Sequence, residues 1–406
     1  MSARNAAVLA VQTLLLFSRR PALAAPIPRR HMFSRPRISL TFLTVITPER
    51  QIVSHLLTTS HNMGKYSDDP EWADITPLPQ DEGGPNPLAA IAYTDGYAEA
   101  TSYLRAIMAL NELSPRALHL TSDIISMNAA HYTVWIYRSA ILAALDADLR
   151  SELTWLDETA LAHLKNYQIW HHRQFVLERL ADPVGEIAFV NAVLEHDVKN
   201  YHCWSYRQWL VRRFGLWETR NVVDEEGKRA TELEETERLI AEDVRNNSAW
   251  NHRFFLVNGR DEEARTEDSE AAVSATTNST ASMGVKHAPT LERELAFTHR
   301  AIARAPQNQS AWNYLRGTFE RAGDTSLITL RTVCEEFASV DDEGKVRSSH
   351  ALDLLAEIEA REGGEEGKRR AGKAYEMLAT RFDPLRANYW SYLKGKLGVR
   401  EEGVVA

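Results

Sequence analysis

The sequence predicts an all-α fold, an alpha-alpha superhelix in which helical hairpins stack as a solenoid. Two observations carry that prediction. Six tryptophans, Trp135, Trp170, Trp204, Trp250, Trp312 and Trp390, recur at one place in a repeated phrase, with spacings of 35, 34, 46, 62 and 78 residues. A unit of roughly 34 residues, progressively padded, marks stacked supersecondary units that cannot bury their apolar faces alone. In addition, apolar residues fall at helical spacing in successive units, and no stretch sustains the period-two alternation of a half-buried strand.

The phrase reads His131-Tyr132-Thr133-Val134-Trp135-Ile136-Tyr137-Arg138, then Asn166-Tyr167-Gln168-Ile169-Trp170-His171-His172-Arg173. It returns as Asn200-Tyr201-His202-Cys203-Trp204-Ser205-Tyr206-Arg207 and as Asn246-Asn247-Ser248-Ala249-Trp250-Asn251-His252-Arg253. Looser copies follow at Asn308-Gln309-Ser310-Ala311-Trp312 and Asn388-Tyr389-Trp390. Each unit reads as two helices. In the first unit Ser114-Pro115 opens the earlier helix with a cap and a proline at the first helical position. In the second, Leu149, Leu153, Leu156, Ala160 and Leu164 form one apolar stripe that Lys165 ends. Asn166 then caps a helix carrying Trp170, Arg173 and Leu177 on one face. The third repeats the plan with Ile187, Val190, Val193 and Leu194, then Asn200 as cap, then Trp204, Arg207 and Val211. The tryptophans fill the same inter-helix space in each unit. The arginine three residues after each of the first four tryptophans needs buried partners, from backbone carbonyls or a carboxylate of the next unit.

Composition narrows the function. A net charge of −9 argues against general nucleic-acid binding, which needs a basic face. Cys203 and Cys334 are the only cysteines, too few for a disulfide framework or a cysteine-based zinc site, and the redox habit is cytosolic. We therefore expect a cytoplasmic protein.

Residues 1–62 form a different regime, with eight arginines, one acidic residue (Glu49), no lysine and a short apolar run over residues 6–17. That run is too short to span a bilayer. It fits a signal peptide cleaved near Ala22-Leu23-Ala24, an Arg-rich transit peptide, a disordered extension, or leader upstream of a start at Met63. The cytosolic character of the chain after Met63 favours the last two. The repeat domain is expected over residues 63–400. Residues 259–290, rich in Glu, Ser, Thr and Ala, and the charged, Gly-bearing run 361–372 read as surface insertions.

There is no Walker-type loop, G-x-S-x-G elbow or H-E-x-x-H pair. His171 and His172 are neighbours that point about 100° apart on a helix, so they suit structural or interface roles better than chelation. The turns between the two helices of each unit offer chemistry instead. Lys165, Asn166 and Tyr167 occupy one, and Lys199, Asn200, Tyr201 and His202 the next. Equivalent turns lie on one edge about 10 Å apart. Ammonium, phenol and imidazole groups converging there suit a phosphate or diphosphate, although a lysine at a helix C-terminus also simply complements the dipole.

The phrases Lys-Asn-Tyr-Gln-Ile-Trp-His-His-Arg (165–173), Asn-Tyr-His-Cys-Trp-Ser-Tyr-Arg-Gln-Trp (200–209), Asp-Val-Arg-Asn-Asn-Ser-Ala-Trp-Asn (243–251) and Gln-Ser-Ala-Trp-Asn-Tyr-Leu (309–315) resemble a known family. It is the alpha subunit shared by protein farnesyltransferase and type I protein geranylgeranyltransferase. Glu71-Trp72-Ala73-Asp74-Ile75 and Gly84-Pro85-Asn86-Pro87 resemble the family's opening segment. Residues 66 to 320 carry the resemblance well and the C-terminal part loosely. The chain departs from the pattern in residues 1–62, in the 259–290 insertion, and at His131, where asparagine is usual.

The resemblance implies a crescent of helical hairpins wrapping a helical-barrel beta subunit, and transfer of farnesyl or geranylgeranyl from its diphosphate to the cysteine of CaaX-motif proteins such as small GTPases. It implies Zn2+ held by the beta partner and Mg2+ on the diphosphate. It places Lys165 in the catalytic-lysine position, with Tyr167, Tyr201 and His202 as further prenyl diphosphate contacts. Two other classes stay open. One is a tetratricopeptide-like scaffold, which fits the period but not the missing W-x2-L-G-x2-Y pattern. The other is the alpha subunit of the Rab geranylgeranylating enzyme.

Overall fold

Each repeat is built on a short turn that an asparagine helps close. The computed structural model describes residues 66–81, 83–84, 89, 91–220, 222–223, 229–259, 288–324 and 327–398. The N-terminal extension expected over residues 1–62, the central part of the expected insertion (260–287), and Pro85, Asn86 and Pro87 of the opening motif lie outside the described residues.

Helix α1 (Asp95–Ala109) receives the N-terminal turns, where Tyr66, Trp72 and Tyr103 pack ring against ring at 5.3–5.5 Å. Five hairpins follow: α2 (Pro115–Met127) with α3 (Tyr132–Leu145), α4 (Leu149–Ala162) with α5 (Gln168–Leu180), and α6 (Glu186–His196) with α7 (Tyr201–Phe214). Next come α8 (Glu232–Glu242) with α9 (Asn247–Asn258) and α10 (Ala288–Arg304) with α11 (Gln309–Arg321). The second helices stack in order, α3 on α5, α5 on α7, α7 on α9 and α9 on α11. That continuous stack is the predicted solenoid. The only strands among the described residues are two-residue segments, β1 (Val222–Val223) and β2 (Arg229–Ala230), paired antiparallel between α7 and α8.

The caps fall where the sequence places them, with one shift. Ser114 accepts from the Ala117 amide, Asn200 from Cys203, Asn246 from Ser248 and Ala249, and Asn308 from Ser310. Asn166 accepts from Ile169 at 3.1 Å, but α5 begins at Gln168, so Asn166 sits two residues before the helix and one before the capping position, Tyr167. Helix α4 likewise stops at Ala162, which leaves Lys165 in the turn rather than at the end of the helix.

All six repeat tryptophans are buried. Four use their indole N–H in one way, donating to the carbonyl six residues earlier: Trp135 to Ala129, Trp204 to Val198, Trp250 to Val244 and Trp312 to Pro306, at 2.8–3.0 Å. A large apolar body thus fills the gap between helices while its one donor is satisfied by the turn.

The arginine partner is a glutamate near the start of the next unit's first helix. Arg138 pairs with Glu152, Arg173 with Glu186, Arg207 with Glu232 and Arg253 with Glu294, each guanidinium gripping both carboxylate oxygens at 2.6–3.0 Å and both partners buried. A third residue completes every pair. His172, Tyr206, His252 and Tyr314, each two residues after its tryptophan, bond to Glu152, Glu186, Glu232 and Glu294 at 2.5–2.8 Å. The offset from glutamate to this residue is 20 in all four units, because padding falls between hairpins and not within them. Each triad therefore ties two helices of one unit to the second helix of the unit before.

These triads set a pH dependence. Burial outweighs the neighbouring carboxylates and holds the imidazoles of His172 and His252 below their ordinary pKa. Burial pushes Glu152 and Glu232 up, but their arginine and histidine partners win and hold both carboxyls down, Glu232 to about 2. The unfolded chain then binds more protons than the folded one below the unfolded histidine value, about 6.5, and again below the unfolded glutamate value, about 4.3. Stability is fully present above both values and lost as pH falls through them. The urea midpoint is expected to fall between about pH 7.5 and 5.5 and more steeply towards about pH 4; a midpoint constant down to about pH 5 would contradict the histidine part.

Beyond α11 the chain continues as α12 (Arg331–Phe337), α13 (Ser349–Glu362), α14 (Gly364–Met377) and α15 (Ala387–Lys396), where Trp390 is buried and donates to Asp383. The run 361–372 is not a surface insertion as its composition suggested. It holds the α13–α14 corner and the first half of α14, with Gly367, Ala371 and Gly372 buried. Its glycines serve close approach: a Cβ at Gly367 would collide with the Glu359 carbonyl oxygen, and Gly364 turns the chain at φ +55°. The low-complexity reading of 259–290 is also shortened, since residues 288–290 already belong to α10.

No helix among the described residues is long and apolar enough to cross a membrane.

Candidate functional site

Five turns join first to second helices, and all share one hydrogen bond. The amides of His131, Asn166, Asn200, Asn246 and Asn308 donate to the carbonyls of Asn128, His163, Asp197, Asp243 and Ala305 at 2.9–3.1 Å. The third residue of each turn is Ala130, Lys165, Lys199, Arg245 and Gln307 in order. The residue after the capping position is Tyr132, Tyr167, Tyr201, Asn247 and Gln309, and the next is Thr133, Gln168, His202, Ser248 and Ser310. Lysine, two tyrosines and a histidine therefore meet only where the second unit adjoins the third.

The side chains gather as the sequence spacing suggests. The Tyr167 ring lies 6.4 Å from His202 and the Tyr201 ring 5.7 Å from it, the latter edge-on. Tyr167 and Tyr201 are exposed and His202 half-buried. Lys165, its side chain 77% exposed, forms an ion pair with Asp197 of the next turn. Lys199 repeats that pairing with Asp243 at 3.4 Å. The residues after Asp197 supply Tyr201 and His202, whereas those after Asp243 supply Asn247 and Ser248. The two lysines are equivalent in register and differ in company.

Sequence reasoning missed Asp197. The Lys165 ammonium beside it holds its carboxyl below the ordinary range, helped by the Lys199 amide and the Asn200 side chain. An aspartate two residues before Lys199 and two before Arg245 was the available signal.

The other sequence candidates resolve simply. His172 is buried, with Nδ1 3.0 Å from Ser139 Oγ and Nε2 bonded to Glu152, a structural role, while His171 is exposed. His131, standing where asparagine is usual, makes no capping bond; its Nδ1 lies 3.0 Å from Tyr97 Oη on α1. Among the described residues no three His, Cys, Asp or Glu side chains come together as a metal ligand set. Cys203 and Cys334 are buried, and burial pushes both thiols up to about 12, where neither is a thiolate. The described residues do not fit a zinc site.

A stacked array of Trp-phrase hairpins with a cationic, aromatic edge between two units defines a prenyltransferase alpha-type repeat protein. The family model described as "Protein prenyltransferase alpha subunit repeat" matches residues 114–145, 149–180, 184–214, 230–259 and 291–322, one match per hairpin from α2 to α11. The protein farnesyltransferase/geranylgeranyltransferase type-1 subunit alpha of Candida albicans is 36% identical over 335 residues, covering 80% of this chain and 97% of that protein. The solved structure of Candida albicans protein geranylgeranyltransferase-I complexed with GGPP matches with a TM-score of 0.65 at 34% identity, over 80% of this chain and 97% of that one. The geranylgeranyl transferase type-2 subunit alpha of Mus musculus is more distant, 27% identical over 255 residues and spanning 40% of that protein. The chain belongs to the protein farnesyltransferase/geranylgeranyltransferase type-1 alpha-subunit family. The tetratricopeptide-like and Rab-type alternatives give way to it.

Proposed function

We propose that this chain is the alpha subunit of a heterodimeric CaaX protein prenyltransferase, and that Lys165, Tyr167, Tyr201 and His202 contact the prenyl diphosphate. The gathering of the Tyr167, Tyr201 and His202 rings at the junction of the second and third units, with Lys165 paired to Asp197 of the turn that leads into Tyr201, is the observation that carries the reading. The reaction forms a carbon–sulfur bond between the substrate cysteine and the first prenyl carbon and breaks that carbon's bond to diphosphate oxygen. Negative charge grows on the departing diphosphate. Lys165 stabilises it as an ammonium that transfers no proton, and the phenols and imidazole add hydrogen bonds. The thiol gives up its proton to solvent before attack, and zinc held by the beta partner would supply the lowering of its pKa. Mg2+ accompanies the diphosphate. The prenyl length and the protein substrate are read by the beta partner.

Exposed Tyr132, Ile136, Tyr167 and Tyr201 along the turn edge support a partner surface. Co-expression with a CaaX-type beta subunit is expected to yield a soluble, active heterodimer, while the chain alone is poorly soluble and inactive. A stable, monomeric, fully active lone chain would end this reading. Co-purification with a Rab-type beta subunit would redirect it.

Cytoplasmic location and a repeat domain over residues 63–400 belong to the same proposal. A chain beginning at Met63 is expected to assemble and turn over like the full chain; loss of either property, or an endogenous protein processed in mitochondria or secreted, would show that residues 1–62 take part.

A further inference from the structure

We propose that Asp197 is a positioning residue that holds the Lys165 ammonium on the turn edge for the departing diphosphate, an inference that rests on the diphosphate reading above. Lys165 sits on a flexible four-carbon stem in a largely exposed place, which leaves an ammonium free to sample many positions. Residues 197–200 restrain it from two sides. The Asp197 carboxylate, its side chain only 25% exposed, pairs with the ammonium. Asn200, fully buried, donates to the carbonyl of Leu164 at 2.8 Å, so the backbone immediately before Lys165 is tied to the same turn.

The carboxylate is itself fixed. Asp197 lies at the C-terminal cap of α6, where its own amide donates to the Val193 carbonyl at 3.1 Å, and the neighbouring Lys199 amide and Asn200 side chain help keep the carboxylate ionised. One donor of the ammonium is thereby used, and two remain for oxygen atoms of a ligand. The chain runs from Asp197 into Tyr201 and His202 within five residues, so one turn both restrains the lysine and presents two of the other proposed contacts. Restraint of this kind matters because a catalytic group must already stand in the productive geometry when charge develops. The next unit serves as an internal comparison, since Lys199 and Asp243 are 3.4 Å apart and about equally exposed.

The test is single-turnover kinetics of the heterodimer in a double-mutant cycle. Ordering a rotamer-rich side chain is worth a rate factor of about 3 to 10, so Asp197→Asn is expected to slow the chemical step by that factor. The equilibrium affinity for prenyl diphosphate stays within about 2-fold of wild type, and Asp197→Glu, which keeps the carboxylate, recovers part of the lost rate. In a Lys165→Ala background, Asp197→Asn is expected to have no further effect, because it acts only through that lysine. Asp243→Asn runs at the wild-type rate. Equal slowing by Asp197→Asn in both backgrounds would make Asp197 merely structural and overturn the proposal. A wild-type rate for Asp197→Asn beside a slow Lys165→Ala overturns the positioning role alone. A wild-type rate for Lys165→Ala overturns the diphosphate reading and this proposal with it.

Discussion

Replacing Arg207 with alanine is expected to destabilise the fold by about 3–5 kcal/mol, the usual effect of removing one partner of a buried ion pair. Arg207 is completely buried between α7 and α8, bonded to both oxygens of Glu232 and to the Asn191 side chain at 2.9 Å. Without it, a fully buried Glu232 keeps His252 as its one remaining side-chain partner in the triad. That histidine is held neutral by burial, so the carboxylate loses its only full positive counter-charge. The effect is enlarged by position. Arg207 belongs to the third unit and Glu232 to the fourth, and in a solenoid the contact between neighbours carries much of the stability. Urea unfolding of the heterodimer followed by circular dichroism checks this, with Arg369→Ala as the control. Arg369 pairs with Glu366 on an exposed helix face, and its loss is expected to leave the midpoint in place. A drop of less than about 1 kcal/mol for Arg207→Ala would mean that the triads do not hold the units together.

Only part of this ladder is announced by the sequence. The tryptophan phrase repeats within one short helix, so its residues keep fixed spacings and can be aligned by eye. The arginine in the phrase was legible as a buried cation in need of a partner in the next unit. Its glutamate was not, because the distance from arginine to glutamate runs 14, 13, 25 and 41 residues as padding accumulates between hairpins. Measured the other way, from glutamate to the histidine or tyrosine after the tryptophan, the spacing is 20 every time. The same relation was present in the chain, counted from the end that insertions leave alone. Residues 361–372 misled for a related reason. Glycine and charge together signal a loop, but here the glycines allow the start of α14 to approach the end of α13 closely, and the charges lie along the exposed side of α14. Composition cannot tell a glycine that frees the backbone from one that lets two backbones touch.

The proposed site was legible in part. Tyr167, Tyr201 and His202 were grouped by repeat register alone, and their rings lie within 6.4 Å of one another along the chain of contacts. Register could not choose between Lys165 and Lys199, which hold the same place in successive turns; the family resemblance chose Lys165. The fold adds a physical reason, since the turn packed after Lys165 carries a phenol and an imidazole, while the one after Lys199 carries an asparagine and a serine. Asp197 was missed although an aspartate recurs two residues before Lys199 and before Arg245, because the lysine it pairs with lies 32 residues earlier, in the preceding unit.

Lys165→Ala should therefore separate from Lys199→Ala by rate and not by assembly. A charge-assisted hydrogen bond is worth about 1.5–3 kcal/mol. If Lys165 makes one mainly as charge gathers on the leaving diphosphate, its loss slows the chemical step by roughly 10- to 150-fold. The ground state of the substrate gains little from that contact, so prenyl diphosphate affinity is expected to change far less than the single-turnover rate. Heterodimer formation should be intact, because the Lys165 side chain is largely exposed and its one ion pair lies at the surface, where such pairs contribute little to stability. Lys199→Ala should run near the wild-type rate, its pairing with Asp243 being equally superficial. The measurement is single-turnover transfer to a CaaX peptide by heterodimer purified to equal occupancy, with prenyl diphosphate binding measured separately. If Lys199→Ala proves to be the slow variant, the site has been placed one unit too early. If Lys165→Ala weakens assembly and leaves the rate alone, the lysine serves the interface between subunits, and the diphosphate must be held from elsewhere.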